Sequence, residues 1–278
     1  MRSARSLKGG TSLSSVYKLI ERFSEDVDLL VRFPNVDASI GAKDKVLKAI
    51  RDAVADHLRL DAAHVIHEAA TTGIKRNVRY HYPGSAVPDY GPLSSGVLLE
   101  MGCRGGTYPT QQHQLRSMIA EYAIDQLGES PEAWDEFAPV AVEVLAPTRT
   151  LLEKLALLHD AASRSEQEGE QRLLKSGRHV YDTHQLLACP DVTAELEAIG
   201  REGVVQLCAD IDEHSRAAAF SFTPRPDGGY VHSPLLDPSH PSREALKRGY
   251  NAAMALVYGV RPSFEDCIAA IATHAALL

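Results

Sequence analysis

The chain has 278 residues, a formal net charge of −8 and a pI near 5.8. That is long enough for one large core or two modest ones, and too acidic for a surface that coats itself with polyanions, so any nucleic-acid contact must be local. Cys103, Cys189, Cys208 and Cys267 stand far apart, with no Cys-x-x-Cys pair and no His at ligand spacing, which argues against a zinc site and for reduced thiols. The apolar runs are too short to span a bilayer, and MRSARSLKGG carries charge without a signal-like apolar segment. The expectation is a cytoplasmic protein with no membrane partner.

The first informative stretch runs from Lys8 to Val31, KGGTSLSSVYKLIERFSEDVDLLV. Leu13, Val16, Tyr17 and Ile20 recur at helical spacing, which predicts a helix capped by Thr11 or Ser12 and ending by about Ser24. From Asp26 to Val31 the period changes to two, placing Asp26 and Asp28 on one face of a strand and Val27, Leu29 and Val31 on the other. Two adjacent carboxylates repel unless a cation lies between them. Mg²⁺ accepts one or two carboxylates and completes its shell with water and substrate phosphate. Gly9 and Gly10, lacking a Cβ, let backbone N–H groups approach an anion, and the helix after them points its positive end the same way. Taken singly, Gly-Gly is a turn and Asp-x-Asp a solvated strand end; the chemistry rests on their occurring together.

Lys43 to Leu60 reads as an amphipathic helix, with Val46, Ala49, Ile50, Ala53, Val54 and Leu58 on one side. Its other side, Lys43, Lys45, Lys48 and Arg51, faces either RNA or solvent. Thr72 to Tyr82 alternates as a strand that ends at Pro83-Gly84, with Ile74, Val78, Tyr80 and Tyr82 opposite Lys75, Asn77, Arg79 and His81. The basic face is a candidate for triphosphate or RNA contact. Ser95 to Gly102 reads as a buried strand interrupted by Glu100, which needs a function or a partner such as Arg104.

Gln114 to Leu127 has a helical pattern, and Val140 to Leu145 reads as a strand closed by Ala146-Pro147. Thr150 and Glu153 form a capping-box pattern that would put Lys154 in or next to a first helical turn, a poor place for a cation unless an anion shares it. Glu166 to Lys175 reads as a charged connection, and Asp191 onward as mainly helical. The last helix is capped by Ser263 with Asp266, after a break at Gly259 to Pro262. His57, His64 and His67 match no zinc pattern.

Gly-Gly-Thr, one helix and Asp-x-Asp on the adjacent strand resemble the active-site layout of the DNA polymerase β-like nucleotidyltransferases. More narrowly, three strings resemble the AbiEii/AbiGii toxin family: GGTSL with RFSEDVDL, the strand-Pro-Thr-Leu-x-Glu-Lys-Leu run around Lys154, and Arg178-His179-Val180-Tyr181-Asp182 with Leu186-Leu187. The resemblance runs nearly end to end, although the family's usual helical segment before Gly-Gly has no counterpart in Met1 to Leu7. It implies an α/β (α+β) fold, with a mixed-sheet nucleotidyltransferase core over 1–145 and a mostly helical region over 146–278 completing the cleft. Asp26, Asp28 and Glu100 would hold Mg²⁺ or Mn²⁺, with Glu100 as third ligand or general base. Gly9, Gly10, Thr11, Ser12 and Lys154 would hold the nucleoside triphosphate. Asp182 would join Asp26, Asp28, Glu100 and Lys154 in the catalytic set. The implied protein is a toxin of a toxin–antitoxin or abortive-infection system that transfers nucleotides to RNA, at the tRNA 3′ end in relatives, and a cognate antitoxin is the implied partner. A protein hydroxyl or an aminoglycoside is the alternative acceptor, and a non-catalytic module that keeps the fold is the other alternative. A cleft lined by Lys75, Arg79, Lys175 and Arg178 favours RNA, and an acidic one favours a cationic small molecule.

Overall fold

A computed structural model describes residues 4–278 except 25, 34, 36, 83–94, 104, 105, 107 and 165–169. Glu25, the strand end at Pro83-Gly84, the proposed Glu100 partner Arg104 and the start of the charged connection at Glu166 therefore lie outside the described residues. The strands are β1 (Ala4–Lys8), β2 (Asp26–Arg32), β3 (Val65–Thr71), β4 (Lys75–Tyr80), β5 (Val97–Gly102), β6 (Thr110–Leu115) and β7 (Val140–Leu145). They form one mixed sheet in the order β3-β4-β5-β2-β1-β7-β6. The helices are α1 (Gly9–Thr11), α2 (Ile40–His57), α3 (Met118–Leu127), α4 (Pro147–Ser163), α5 (Glu170–Ala188), α6 (Pro190–Ala217), α7 (Ser242–Ala253) and α8 (Phe264–His274). The expected α/β architecture with a helical C-terminal region is present.

Alternation along the strands gives the sheet two unlike faces. Val31, Val78, Tyr80, Leu99 and Met101 point to one side and pack on Leu47 and Ile50 of α2. That helix starts at Ser39, whose hydroxyl accepts from the Ala42 N–H at 3.2 Å. Its buried side centres on Asp44, Leu47 and Ile50, whereas Ala49, Ala53 and Leu58 of the expected apolar stripe are exposed. An ion pair of Asp44 with Arg76 of β4, 2.9 Å, sets that rotation. The other face of the sheet carries Ser6, Lys8, Asp26, Asp28 and Glu100 and meets the helices. These helices bury a second cluster, with Leu151, Leu155, Val180, Tyr181, Leu196, Tyr250 and Ile271 among its members; Leu13 and Ile20 from the N-terminal region sit in it too.

Several elements differ from the sequence expectation. The helix predicted through Ser24 instead begins at Gly9, continues as a π-helical turn over Ser12–Val16, and ends before Lys18, whose φ is +55°. Leu13 and Ile20 do share the core, but the chain between them has turned. Arg22 then bridges Val257 in antiparallel fashion, with Phe23 N–H donating to Leu256 O at 3.0 Å and Tyr258 N–H to Glu21 O at 3.0 Å. The strands β1, β3 and β6 had no sequence expectation. β6 takes the first part of the stretch read as one helix from Gln114, and α3 starts only after its cap Ser117. The capping box at Thr150 is also corrected: α4 starts at Pro147 behind Ala146, and the Thr150 hydroxyl donates back to Ala146 O at 3.2 Å. Lys154 thus lies beyond the first turn, and helix-dipole repulsion says nothing about it. The Ser263–Asp266 capping box of α8 is present as expected.

α5 and α7 meet backbone to backbone. A Cβ on Gly177 would lie 2.1 Å from the Gly249 carbonyl carbon, and one on Gly249 would lie 2.3 Å from the Leu174 carbonyl oxygen. Neither neighbour is a side chain that can swing aside. Gly249→Ala is expected to lower stability by about 1–3 kcal/mol, the usual cost of overpacking, read as a lower midpoint in urea unfolding.

Candidate active site

The strand register assembles the site. β2 runs antiparallel to β1, pairing Asp28 with Lys8, and parallel to β5, pairing Asp28 with Glu100 and Asp26 with Leu98. Asp26, Asp28, Glu100 and Lys8 therefore share the face turned toward α4 and α5. Between the two layers lies a cleft of about 190 Å³. Lys8, Gly9, Gly10, Asp26, Asp28 and Glu100 line it from the sheet side, and Glu153, Lys154, Arg178 and His179 from the helices.

The double glycine is required by close approach. Gly9 has φ +72°, and a Cβ there would sit 2.1 Å from Asp28 Oδ2. A Cβ on Gly10 would lie 2.8 Å from both Arg22 Nη2 and Ser24 Oγ. The hydroxyls beside them are used locally: Thr11 Oγ1 donates to the Asp26 carbonyl, and the buried Ser12 Oγ donates to the Gly9 carbonyl at 2.9 Å. Thr11 and Ser12 hold the turn and do not line the cleft; Thr11 lines a groove on the opposite side of the sheet with Leu7 and Val27.

Behind the cleft wall lies a buried ionic triad. Asp182 is fully buried and accepts from Arg22 Nε at 2.6 Å, Arg22 Nη2 at 2.7 Å and Lys154 Nζ at 2.7 Å. Burial alone would raise the Asp182 pKa, but the charges of Arg22 and Lys154 outweigh it and hold the carboxyl well below its ordinary range. Burial pushes the Lys154 ammonium down, against the attraction of Asp182. His179 is pushed well below its ordinary value by burial and then by Lys154 and Arg178, so it stays neutral, and its Nδ1 is buried without a hydrogen-bond partner.

On the sheet side, burial pushes the Asp28 carboxyl up to about 6; Lys8 opposes the rise, while Glu100 and Asp26 add to it. Asp26 is met by Arg178 Nη2 at 3.4 Å. Glu100 accepts from the Asn77 amide and lies 3.7 Å from Lys75 Nζ. Lys8 Nζ lies 3.7 Å from Glu153. Among the described residues, no group of three or more His, Cys, Asp or Glu side chains could hold a metal by itself. Asp26, Asp28 and Glu100 thus form no closed cage. The hard oxygens of Asp26 and Asp28, side by side on one face of β2, fit a divalent cation that takes two carboxylates and fills its other positions from water and phosphate.

Of the residues expected from sequence, Gly9, Gly10, Asp26, Asp28, Glu100 and Lys154 line one cleft, and Asp182 lies behind Lys154. Lys75 and Glu100 share an adjoining pocket of about 220 Å³. Arg79 is instead tied to Glu68 of β3 at 2.5 Å, His81 lies 3.3 Å from Ser95 Oγ, and Lys175 is exposed on α5 outside the cleft. Lys8, Arg22 and His179 had no assigned role, and Glu153 was expected only as the capping-box partner of Thr150. Arg22 and His179 stand inside the two most specific strings, which was signal enough to ask what they touch; nothing local marks Lys8.

A family model described as nucleotidyl transferase AbiEii toxin, type IV toxin–antitoxin system, matches residues 6–270. The chain belongs to this family. No curated protein and no solved structure matches it. The AbiEii match spans both walls of the cleft, from Lys8 through Asp182.

In this AbiEii protein the triad should also govern stability. Arg22→Met leaves the buried Asp182 with Lys154 alone, and the expected loss at neutral pH is about 3 kcal/mol. Because the folded Asp182 pKa is depressed, the stability its charge contributes is complete above the unfolded value of about 3.9 and is lost as pH falls below it. Urea unfolding at neutral and at acidic pH should therefore show the gap between wild type and Arg22→Met narrowing in acid.

Proposed function

We propose that this cleft transfers a nucleoside monophosphate from a nucleoside triphosphate to a hydroxyl of RNA, with the tRNA 3′ end as acceptor. The observation that carries the reading is the placement of Asp26 and Asp28 in one cleft with the double glycine and a buried lysine. Asp26 and Asp28 would hold Mg²⁺ or Mn²⁺, which when bound supplies charge stabilisation to the attacking and leaving oxygens. The Gly9 and Gly10 N–H groups, in the first turn of the helical segment, would donate to phosphate oxygens. Lys154, fixed by Asp182, adds a pre-oriented positive charge that needs no reorganisation during the reaction. Arg178 rests on Asp26 and would turn to phosphate when that carboxylate is engaged elsewhere. Glu100, held by Asn77 and Lys75, would accept the proton of the attacking hydroxyl, a role that its position beside these two partners supports over service as a third metal ligand.

The acceptor reading follows from charge. Lys8, Lys154 and Arg178 line the cleft together with Asp26, Asp28, Glu100 and Glu153. Once a divalent cation occupies Asp26 and Asp28, the balance is no longer acidic, which favours a polyanion over a cationic drug. Lys75 beside Glu100 extends the positive charge toward the incoming strand.

Purified protein incubated with total RNA, Mg²⁺ and each labelled nucleoside triphosphate in turn should label RNA of tRNA size. Label that appears only on protein or on an aminoglycoside would overturn the acceptor assignment. If RNA is the acceptor, Lys75→Ala should lower the salt slope of RNA binding by about 0.7 in log K per log salt unit, one single-strand phosphate contact.

Asp28→Asn should abolish transfer in a folded protein. The folded Asp28 pKa is raised from about 3.9 to about 6, so its ionisation costs stability as pH rises through that window and the cost persists above it. The variant is therefore expected to melt higher than wild type above pH 6, and to lose most of the stabilisation that Mg²⁺ gives wild type. Thermal unfolding with and without Mg²⁺ reads both effects.

A further inference from the structure

The groove behind the sheet leads to a part of the molecule that nucleotidyl transfer does not use. Here α3 and the single helical turn Asp135–Phe137 make a small lobe whose buried cluster is Ala120, Ala123 and Phe137, with Ile124 packed against it. The other side of α3 is apolar and exposed: Met118, Ile119 and Tyr122 are 60%, 79% and 60% accessible. Their spacing puts them on one side of the helix. Leu127, Trp134 and Val140 are also large, apolar and exposed. Scattered exposed apolar residues need no explanation, but six within a short stretch around one helix mark an interaction surface. The groove beside them, about 420 Å³, is lined by Met118, Val140 and Val142 together with Leu7 and Val27 from the back of the sheet, and has room for an anchoring side chain.

Charge selects the occupant. Residues 117–139 contain Glu121, Asp125, Glu129, Glu132, Asp135 and Glu136 and no Lys, Arg or His, six of the eight excess negative charges, against one flanking cation, Arg116, which lines the groove and donates to Phe137 O at 2.9 Å. Among the described residues, Glu121 is the one member of the six in an ion pair, with Lys18 at 2.7 Å. Such a surface repels RNA and an anionic bilayer, and a second copy would set six acids against six. A positively charged protein segment with an apolar side satisfies both features at once.

We propose that the α3 lobe docks a Lys/Arg-rich amphipathic helix of a partner protein, its apolar side on Met118, Ile119 and Tyr122 and its cations against the surrounding carboxylates. Leu7 and Val27 point away from the cleft that Lys8, Asp26 and Asp28 line, so the partner and the nucleotide occupy opposite faces of the sheet. Docking does not compete with substrate. It also does not depend on the transfer reading, since it rests on a different surface.

Trp134 is the sole tryptophan of the chain and lies in the lobe, so its emission reports occupancy. The full chain is titrated with a synthetic Leu/Lys amphipathic helical peptide and with its Leu/Glu counterpart, at low and raised salt. The expected result is a saturable blue shift with the Leu/Lys peptide, weaker in salt and absent with Leu/Glu. Ile119→Ser with Tyr122→Ser, and separately Asp125→Lys with Glu129→Lys, should each weaken binding about tenfold or more, while Glu197→Lys on α6 leaves it unchanged. Nucleoside triphosphate binding, measured with and without saturating peptide, should not differ. The proposal is overturned if the Leu/Glu peptide or tRNA shifts Trp134 equally, or if the Ser variant binds like wild type. It is equally overturned if sedimentation shows that the wild-type chain pairs with itself through the lobe and the Ser variant does not.

Discussion

A single buried carboxylate holds the site together. Asp182 on α5 receives two bonds from Arg22 and one from Lys154 of α4, so three distant segments converge on one pair of oxygens. Burying three charges costs several kcal/mol per ion, and the cost is met only when geometry is good and the polar atoms are satisfied. Here the planar guanidinium grips the carboxylate with two parallel bonds, and its remaining nitrogen donates to Phe23 O at 2.8 Å. The arrangement also explains Gly10, since a side chain there would push directly on the Arg22 guanidinium. The glycine turn, the carboxylate strand and the helical wall are thus mutually dependent.

The sequence showed most plainly where one local pattern met one environment. Period two through Asp26 to Val31 gave the polar and apolar faces of β2 correctly, and so did the alternation of β4, because each strand has α2 on one side and the cleft on the other. The Ser263–Asp266 cap needed four residues and nothing else. The dipole argument for Lys154 required a first turn, whereas burial against Asp182 explains the residue; the Leu-x-Glu-Lys-Leu string, which also pointed to it, did not depend on the turn. Arg22 stands inside the RFSEDVDL string, but its role is set by a partner 160 positions away, which no short-range pattern names. The helix expected through Ser24 failed because Leu13 and Ile20 reach the same core by different routes, and the left-handed turn at Lys18 has no glycine to announce it. β6, TQQHQL, is a polar edge strand, and edge strands carry little of the alternation that betrays central ones.

Net charge was a poor guide to what this molecule can approach. Most of the excess negative charge belongs to the α3 lobe behind the sheet, while the cleft in front balances lysines and an arginine against its carboxylates. Repulsion from the lobe would orient an approaching polyanion with the cleft foremost. One average thus conceals two surfaces of different character, separated by the thickness of a sheet.

The glycine contact between α5 and α7 bears on how the protein is made. Arg178, His179 and Asp182 ride on α5, whose axial position is set by Gly249 against Leu174, far along the chain. During synthesis the carboxylates, the glycine turn and Lys154 leave the ribosome first, followed by an α5 that still has no seat. The wall of the cleft locks only when α7 arrives, and the 256–258 segment that pairs with Glu21, Arg22 and Phe23 comes later still. For a member of this family, a chain interrupted between α5 and α7 carries every residue of the site but lacks the contact that seats α5.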